Sequence, residues 1–303
     1  MADYRKITEL HPPMADFLRY QATIGYRGDV LAYAPNFTSA GFSTDSQGFR
    51  HSLVGGRSLS VADCVRSERY GVVLGASNSF GFGVAGNHNT MASLLSERLG
   101  FPFANCAMPG ANSRNLHSLL ISVIASAPRP PAIVILSTGG DLGTFCDASY
   151  ADPVFGSPNR NQIAAEFDRG RPPPDPEPYF GHLLNFTGLW AAAIARTCRR
   201  QKARLVMLHQ STFFEKSEPS PREIDYRLGE AFNVHHERIF ANHRRFNAAF
   251  FANRKSVADR LGVPLAGWGA TGQLGFIDEL HLDQDGTHLM SGWAGDVIAD
   301  AGS

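Results

Sequence analysis

The sequence predicts an α/β protein in three layers, with a mainly parallel sheet of about five strands covered by helices on both faces. Three observations carry that prediction. Apolar runs of strand length alternate with stretches of helical period from about residue 70 onward. One run, Ala132-Ile133-Val134-Ile135-Leu136, is apolar without interruption, which suits a strand buried on both faces. A second run, Tyr70-Gly71-Val72-Val73-Leu74, leads straight into Gly75-Ala76-Ser77-Asn78-Ser79. Strand, small-residue turn, then helix is how an open α/β sheet presents a reactive side chain at the carboxyl ends of its strands.

Strands are predicted at about 70–75, 102–106, 132–136, 203–209 and, weakly, 263–266. Helices fall between them. Met91-Ala92-Ser93-Leu94-Leu95-Ser96-Glu97-Arg98-Leu99 closes a helix over about 88–99. Leu116, Leu119, Leu120 and Val123 recur at helical spacing over about 112–126. Ile239, Phe240, Phe246, Phe250 and Val257 form a core-facing stripe over 236–261. The last helix, about 285–299, takes Asp283 or Asp285 as its N-cap.

Residues 1–68 do not read as the start of such a fold. Met14-Ala15-Asp16-Phe17-Leu18-Arg19-Tyr20 suggests a short helix, and 26–57 is rich in glycine, serine and aromatics with turn signals. The expected organisation is a β- and loop-rich extension over 1–68, packed on a main domain over 69–303. Two insertions break the βα alternation, near 143–184 and 210–235. The first carries Arg171-Pro172-Pro173-Pro174-Asp175-Pro176-Glu177-Pro178, a stiff polar run. The second carries Phe213, Phe214 and Phe232. Both follow strands at the catalytic edge, so they are expected to wall a recessed substrate pocket.

Composition removes several function classes. Lys plus Arg and Asp plus Glu are 28 each, so nothing electrostatic favours nucleic acid or an anionic membrane. No signal peptide or membrane span is visible, and the four cysteines (64, 106, 146, 198) lack CxxC spacing. They read as free thiols of a cytoplasmic protein. Eleven histidines include no HExxH, so no metal and no cofactor is expected.

The chemistry-bearing residues are Ser77 and, 204 positions later, Asp278-Glu279-Leu280-His281. A serine needs a base to act as a nucleophile, and a carboxylate three residues before a histidine can fix its tautomer and stabilise the imidazolium. On these residues the chain resembles the SGNH (GDSL-type) hydrolase superfamily. Gly75-Ala76-Ser77-Asn78-Ser79-Phe80-Gly81 resembles the first block and Asn105-Cys106-Ala107-Met108-Pro109-Gly110-Ala111 the second. Thr138-Gly139-Gly140-Asp141-Leu142 falls where the third is expected, and Asp278-Glu279-Leu280-His281-Leu282 resembles the fifth. The resemblance covers about 69–142 and 201–300 and implies a flavodoxin-like α/β/α sandwich.

It also implies roles. Ser77 would be the nucleophile, His281 the base and Asp278 its orienting acid. The Ser77 and Gly110 N–H groups would line the oxyanion hole. Gly140 stands where the family carries an asparagine donor, and Ala76 where it usually carries aspartate. Losing one such donor costs on the order of 10²–10³ in rate. Asn78 and Asn112 are candidates to replace it, with His209 as a further substrate contact. Gly139-Gly140 is expected to adopt positive φ, and Asp141 to hold the oxyanion-side loop by hydrogen bonds.

The implied activity is cleavage of an acyl ester or thioester, on a small molecule or an acyl carrier, through an acyl-enzyme. An acyltransferase would use the same residues. Two rivals of other classes are a non-catalytic binding protein on a degenerate scaffold and a flavin binder using the loop after the first strand. The α/β-hydrolase elbow G-x-S-x-G fails at Ser79, and no Gly-Lys-Ser/Thr supports a Walker A loop.

Overall fold

The structure, a computed structural model, describes residues 8–9, 11–27, 30–137, 139–147, 175–218, 220, 221, 223, 234–269, 271–278 and 280–300. Two small antiparallel hairpins come first: β1 (Gly25–Arg27) with β2 (Val30–Ala32), and β3 (Ser52–Val54) with β4 (Arg57–Leu59). The main sheet has five parallel strands: β5 (Gly71–Leu74), β6 (Phe103–Asn105), β7 (Ile133–Ser137), β8 (Arg204–Leu208) and β9 (Leu265–Ala266). Their order is β6-β5-β7-β8-β9, the flavodoxin-like arrangement. The chain reverses direction across the sheet at β5, so ligands are expected at its carboxyl end.

The helices among the described residues include α1 (Met14–Gln21), α2 (Val61–Arg66), α3 (Ser77–Phe80), α4 (Met91–Leu99), α5 (Ser113–Ser126), α6 (Gly140–Asp147), α7 (Phe180–Arg200), α8 (Val234–Leu261) and α9 (Gln284–Asp300). Side chains of successive strand residues point to opposite faces, and both faces are covered. Val72, Leu74, Val134, Leu136, Leu205 and Met207 pack in one core with α5 and α7. Val73, Ile133, Ile135, Val206 and Leu208 share the other with α4 and α9. This double burial is why β7 reads as an unbroken apolar run. Each fully buried Leu or Val contributes roughly 1.5–3 kcal/mol, so Leu120 of α5, wholly buried, is one whose truncation would loosen this layer.

The five sheet strands lie within the predicted segments, except that β7 runs one residue further, to Ser137. Two helices outside the anticipated set flank the first insertion. α6 starts directly after β7, and α7 extends from residue 180. The proline run 171–174, Phe232, Thr138 and Glu279 lie outside the described residues, so the pocket-wall expectation for 148–174 and 224–233 does too.

The N-terminal segment is fastened by Arg50. Its side chain is fully buried, and it donates to the carbonyls of Gly81 (2.6 Å), Val84 (2.8 Å) and Gly86 (2.9 Å) and to Asn87 Oδ1 (3.1 Å). Phe17, Phe42 and Phe80 surround the guanidinium at 5.0–5.8 Å. Burial lowers its pKa to about 9, so it stays charged at neutral pH. Gly81 caps α3 at φ 87°, and a Cβ there would lie 2.9 Å from Arg50 Nη1. Only glycine meets both demands.

Candidate active site

β5 ends at Leu74 and α3 begins at Ser77, so the serine stands at the carboxyl end of the sheet on the first residue of a short helix. Its backbone is helical, and it is absent from the positive-φ residues. The strained nucleophile turn of the α/β-hydrolases is therefore not used.

His281 reaches Ser77 from a tight hairpin between β9 and α9. Phe276 bridges Leu282, and the Ile277 N–H donates to the His281 carbonyl at 2.9 Å. Asp278 organises the hairpin. Its Oδ1 accepts the N–H groups of Leu280 (2.8 Å) and His281 (2.7 Å), and its Oδ2 accepts His281 Nδ1–H at 2.6 Å. Burial alone would raise the Asp278 pKa. The His281 ring and the two N–H donors outweigh it and hold the carboxyl below its usual value. With the proton on Nδ1, His281 Nε2 is left to accept from Ser77 Oγ, 2.7 Å away. Phe82 packs against the imidazole at 4.5 Å, and Phe17 of α1 packs behind Phe82 at 5.1 Å. The N-terminal segment thus supports the histidine.

Asn78 bonds to the histidine hairpin. Its amide donates to the Leu280 carbonyl, and its Oδ1 accepts Leu282 N–H at 3.0 Å. Both bonds tie α3 to the histidine hairpin, which explains an asparagine directly after the serine. Asn112 is the N-cap of α5, in a reciprocal capping box with Asn115. His209 is buried, bonded through Nε2 to Glu215 at 2.7 Å and set between Phe251 and Trp268. These contacts are structural: Asn78 to the histidine hairpin, Asn112 to its cap and His209 to Glu215.

The backbone offers two donors. Among the described residues, neither Ser77 N–H nor Gly110 N–H donates to a protein acceptor. Gly110 sits at φ 73° in an exposed turn. That turn is held by Met108 N–H on the Gly75 carbonyl (3.0 Å), Ala111 N–H on the Met108 carbonyl (3.1 Å) and Tyr33 Oη on the Pro109 carbonyl (2.7 Å). Asp141, buried at the start of α6, accepts Ser113 N–H at 2.9 Å and the Ser113 hydroxyl. It therefore fixes the segment that follows Gly110. Burial raises its pKa to about 6, against the pull of those donors and of Arg254.

Gly140 departs from expectation in two ways. Neither it nor Gly139 has positive φ. A Cβ at Gly140 would lie 2.6 Å from Ala76 Cβ and 2.8 Å from the Ala111 carbonyl oxygen. The place where an asparagine would start is filled.

Sequence reasoning missed the anchor under the histidine hairpin. Glu223, buried and paired with Lys216 at 3.0 Å, accepts Phe276 N–H at 3.0 Å, while Lys216 Nζ donates to the Leu274 carbonyl at 2.8 Å. Nothing in the spacing of Lys216, Glu223 and Phe276 announces this contact. Arg50 had a signal, since Thr44-Asp45-Ser46-Gln47-Gly48-Phe49-Arg50 ends on a cation in an aromatic stretch.

No family model matches the sequence, and no curated protein matches it. Solved structures do. Similar structures are G-D-S-L lipolytic proteins and esterases. A member of the lipolytic protein G-D-S-L family from Veillonella parvula is 13% identical, with 76% of this chain and 98% of that one covered and a TM-score of 0.43. A carbohydrate acetylesterase family member from Sinorhizobium meliloti is 13% identical, with 76% and 97% covered and a TM-score of 0.47. The psychrotrophic esterase EstA from Pseudoalteromonas sp. is 12% identical, with 77% and 98% covered and a TM-score of 0.41.

Proposed function

We propose that this protein is a carboxylic ester hydrolase in which Ser77, His281 and Asp278 act as a catalytic triad. The observation that carries the reading is the continuous chain of hydrogen bonds from Ser77 Oγ through both ring nitrogens of His281 to Asp278, at 2.7 and 2.6 Å. His281 Nε2 takes the hydroxyl proton as Ser77 Oγ attacks the acyl carbon, and Asp278 stabilises the imidazolium. The Ser77 and Gly110 N–H groups hold the oxyanion. The tetrahedral species collapses, and His281 returns its proton to the leaving alcohol or thiol. Water then enters by the same path in reverse, and the acid departs.

With no asparagine at Gly140, the hole rests on two backbone donors. A third donor is worth about 10²–10³ in rate, so turnover of simple activated esters should be slow. The substrate class is an acyl ester or thioester, on a small molecule or an acyl carrier. No described helix is long and apolar enough to cross a membrane. The four cysteines are buried and none forms a disulfide, which supports a reducing, cytoplasmic setting.

The test is non-additivity. Ser77→Ala and His281→Ala should each abolish turnover of a nitrophenyl acetate with circular dichroism unchanged, and the double variant should be little worse than either. Multiplying losses, or substantial activity in Ser77→Ala, would reject the reading.

A further inference from the structure

A buried cation lies on α8, the helix that packs against α6. Arg254 of α8 is 2% exposed. One terminal nitrogen, Nη2, donates to the Leu184 carbonyl (3.3 Å) and to Asn253 Oδ1, but Nε and Nη1 are buried with no hydrogen-bond partner. A guanidinium kept out of water with two idle donors is costly unless a neighbour needs its charge.

The packing of α8 on α6 identifies that neighbour. Phe145 of α6 meets Phe246 of α8, with ring centres 5.5 Å apart. Asn242, one turn earlier on α8, donates to the Cys146 carbonyl at 3.4 Å, so the two helices run antiparallel. One turn back along α6 is Asp141, and two turns further along α8, in the same direction, is Arg254. Helical side chains point toward their own N-terminus, and the Arg254 guanidinium lies back over Phe250, 5.4 Å from the ring centre. This brings its charge toward the level of Asp141. The two groups act on each other: Arg254 pulls the Asp141 pKa down, and Asp141 pulls the Arg254 pKa up. From α5, Asp141 meets the uncharged Ser113, and from its own helix only backbone.

We propose that Arg254 is a positioning residue for the oxyanion side: its buried charge keeps Asp141 ionised, and ionised Asp141 grips Ser113 and so fixes the Gly110–Asn112 turn. As a carboxylate, Asp141 accepts from both the N–H and the hydroxyl of Ser113. Once protonated, one of its oxygens becomes a donor, the paired grip is lost and Gly110 N–H loses its fixed place. The catalytic consequence rests on the triad reading above, whereas the charge coupling does not.

The experiment compares Arg254→Met, Arg254→Lys and Asp141→Asn in the full chain. The first readout is melting temperature from pH 5 to 8. The folded Asp141 has a raised pKa of about 6, so the folded state binds that proton more tightly than the unfolded chain does. Stability should therefore fall as pH rises through about 6 in the wild type. In Arg254→Met that step should move to higher pH. Arg254→Lys should leave it near the wild-type position, and Asp141→Asn should abolish it.

The second readout is kcat and KM on a nitrophenyl ester. Arg254→Met at pH 7 should lose at least about 10-fold in kcat, approaching the roughly 10²–10³ of a lost oxyanion donor, with KM unchanged. Added to Asp141→Asn it should cost nothing more. An unmoved pH step in a folded Arg254→Met variant, or losses that multiply with Asp141→Asn, would overturn the proposal. Should Arg254→Met fail to fold, Arg254→Gln, which keeps donors and drops the charge, carries the same expectations. If no ester is turned over by any form, the triad reading fails while the melting series still decides the coupling.

Discussion

The most informative perturbation is a side chain at Gly140. Sequence comparison with the hydrolase blocks invites Gly140→Asn as a repair that restores a missing donor. The structure predicts the reverse. A Cβ at this position would lie 2.6 Å from Ala76 Cβ. Carbon atoms in contact prefer about 3.5–4.0 Å, so the overlap is roughly 1 Å. It would also lie 2.8 Å from the Ala111 carbonyl oxygen. Neither neighbour is the end of a flexible side chain. Relief must move Ala76, which precedes Ser77, or Ala111, which follows Gly110. Either shift displaces one of the two backbone donors. Overpacking costs about 1–3 kcal/mol, and a 1 Å misplacement in a site can cost about 10²-fold. Both Gly140→Ala and Gly140→Asn should therefore lower the urea midpoint and cut kcat by about that factor, with asparagine no better than alanine. Urea denaturation and steady-state kinetics on a nitrophenyl ester measure both effects. An asparagine variant more active than wild type, with its midpoint unchanged, would refute the packing argument and revive the missing-donor repair.

Two further outcomes follow from the supporting contacts. Arg50→Met strands the carbonyls of Gly81, Val84 and Gly86 and should cost at least about 1–3 kcal/mol, the penalty of one unsatisfied buried acceptor, in urea denaturation. Arg50→Lys should not rescue it, because one ammonium cannot reproduce the four contacts of the guanidinium fork. Asn78→Ala unpairs the Leu280 carbonyl and the Leu282 N–H and should lower kcat at least about 10-fold, a partial form of the 10² that misplacement can cost. Asn78→Asp should recover part of that loss, since it can still accept from Leu282. Equal kcat in all three forms would show that the hairpin is held without Asn78.

Much of the fold was legible because burial on both faces leaves a plain trace in β5, β7 and β8. The weak strand at 263–266 reduces to Leu265–Ala266, an edge with little to bury. α6 was hidden because Gly139-Gly140 reads as a turn, whereas here Gly140 starts a helix against Ala76. The serine, aspartate and histidine were readable because their order and the Asp278–His281 spacing carry the geometry in themselves. The roles of Asn78, Asn112 and His209 were not. An asparagine beside a nucleophile has the same chemistry whether it meets substrate or a neighbouring hairpin. Only the position of Leu280 and Leu282, about two hundred residues away in sequence, decides between them. Arg254 was illegible for the same reason, since its charge is used by a helix more than a hundred residues earlier.

The central claim is that Ser77 is an activated nucleophile. Ser79 makes the test specific. It lies two residues away, is 1% exposed, and its hydroxyl is buried without a partner. A fluorophosphonate should add once per chain, and peptide mapping by mass spectrometry should place the adduct on Ser77 and not on Ser79. His281→Ala should slow the labelling at least about 10²-fold, since the hydroxyl then lacks its base. An adduct on another residue, or unlabelled protein with native circular dichroism, would contradict the account.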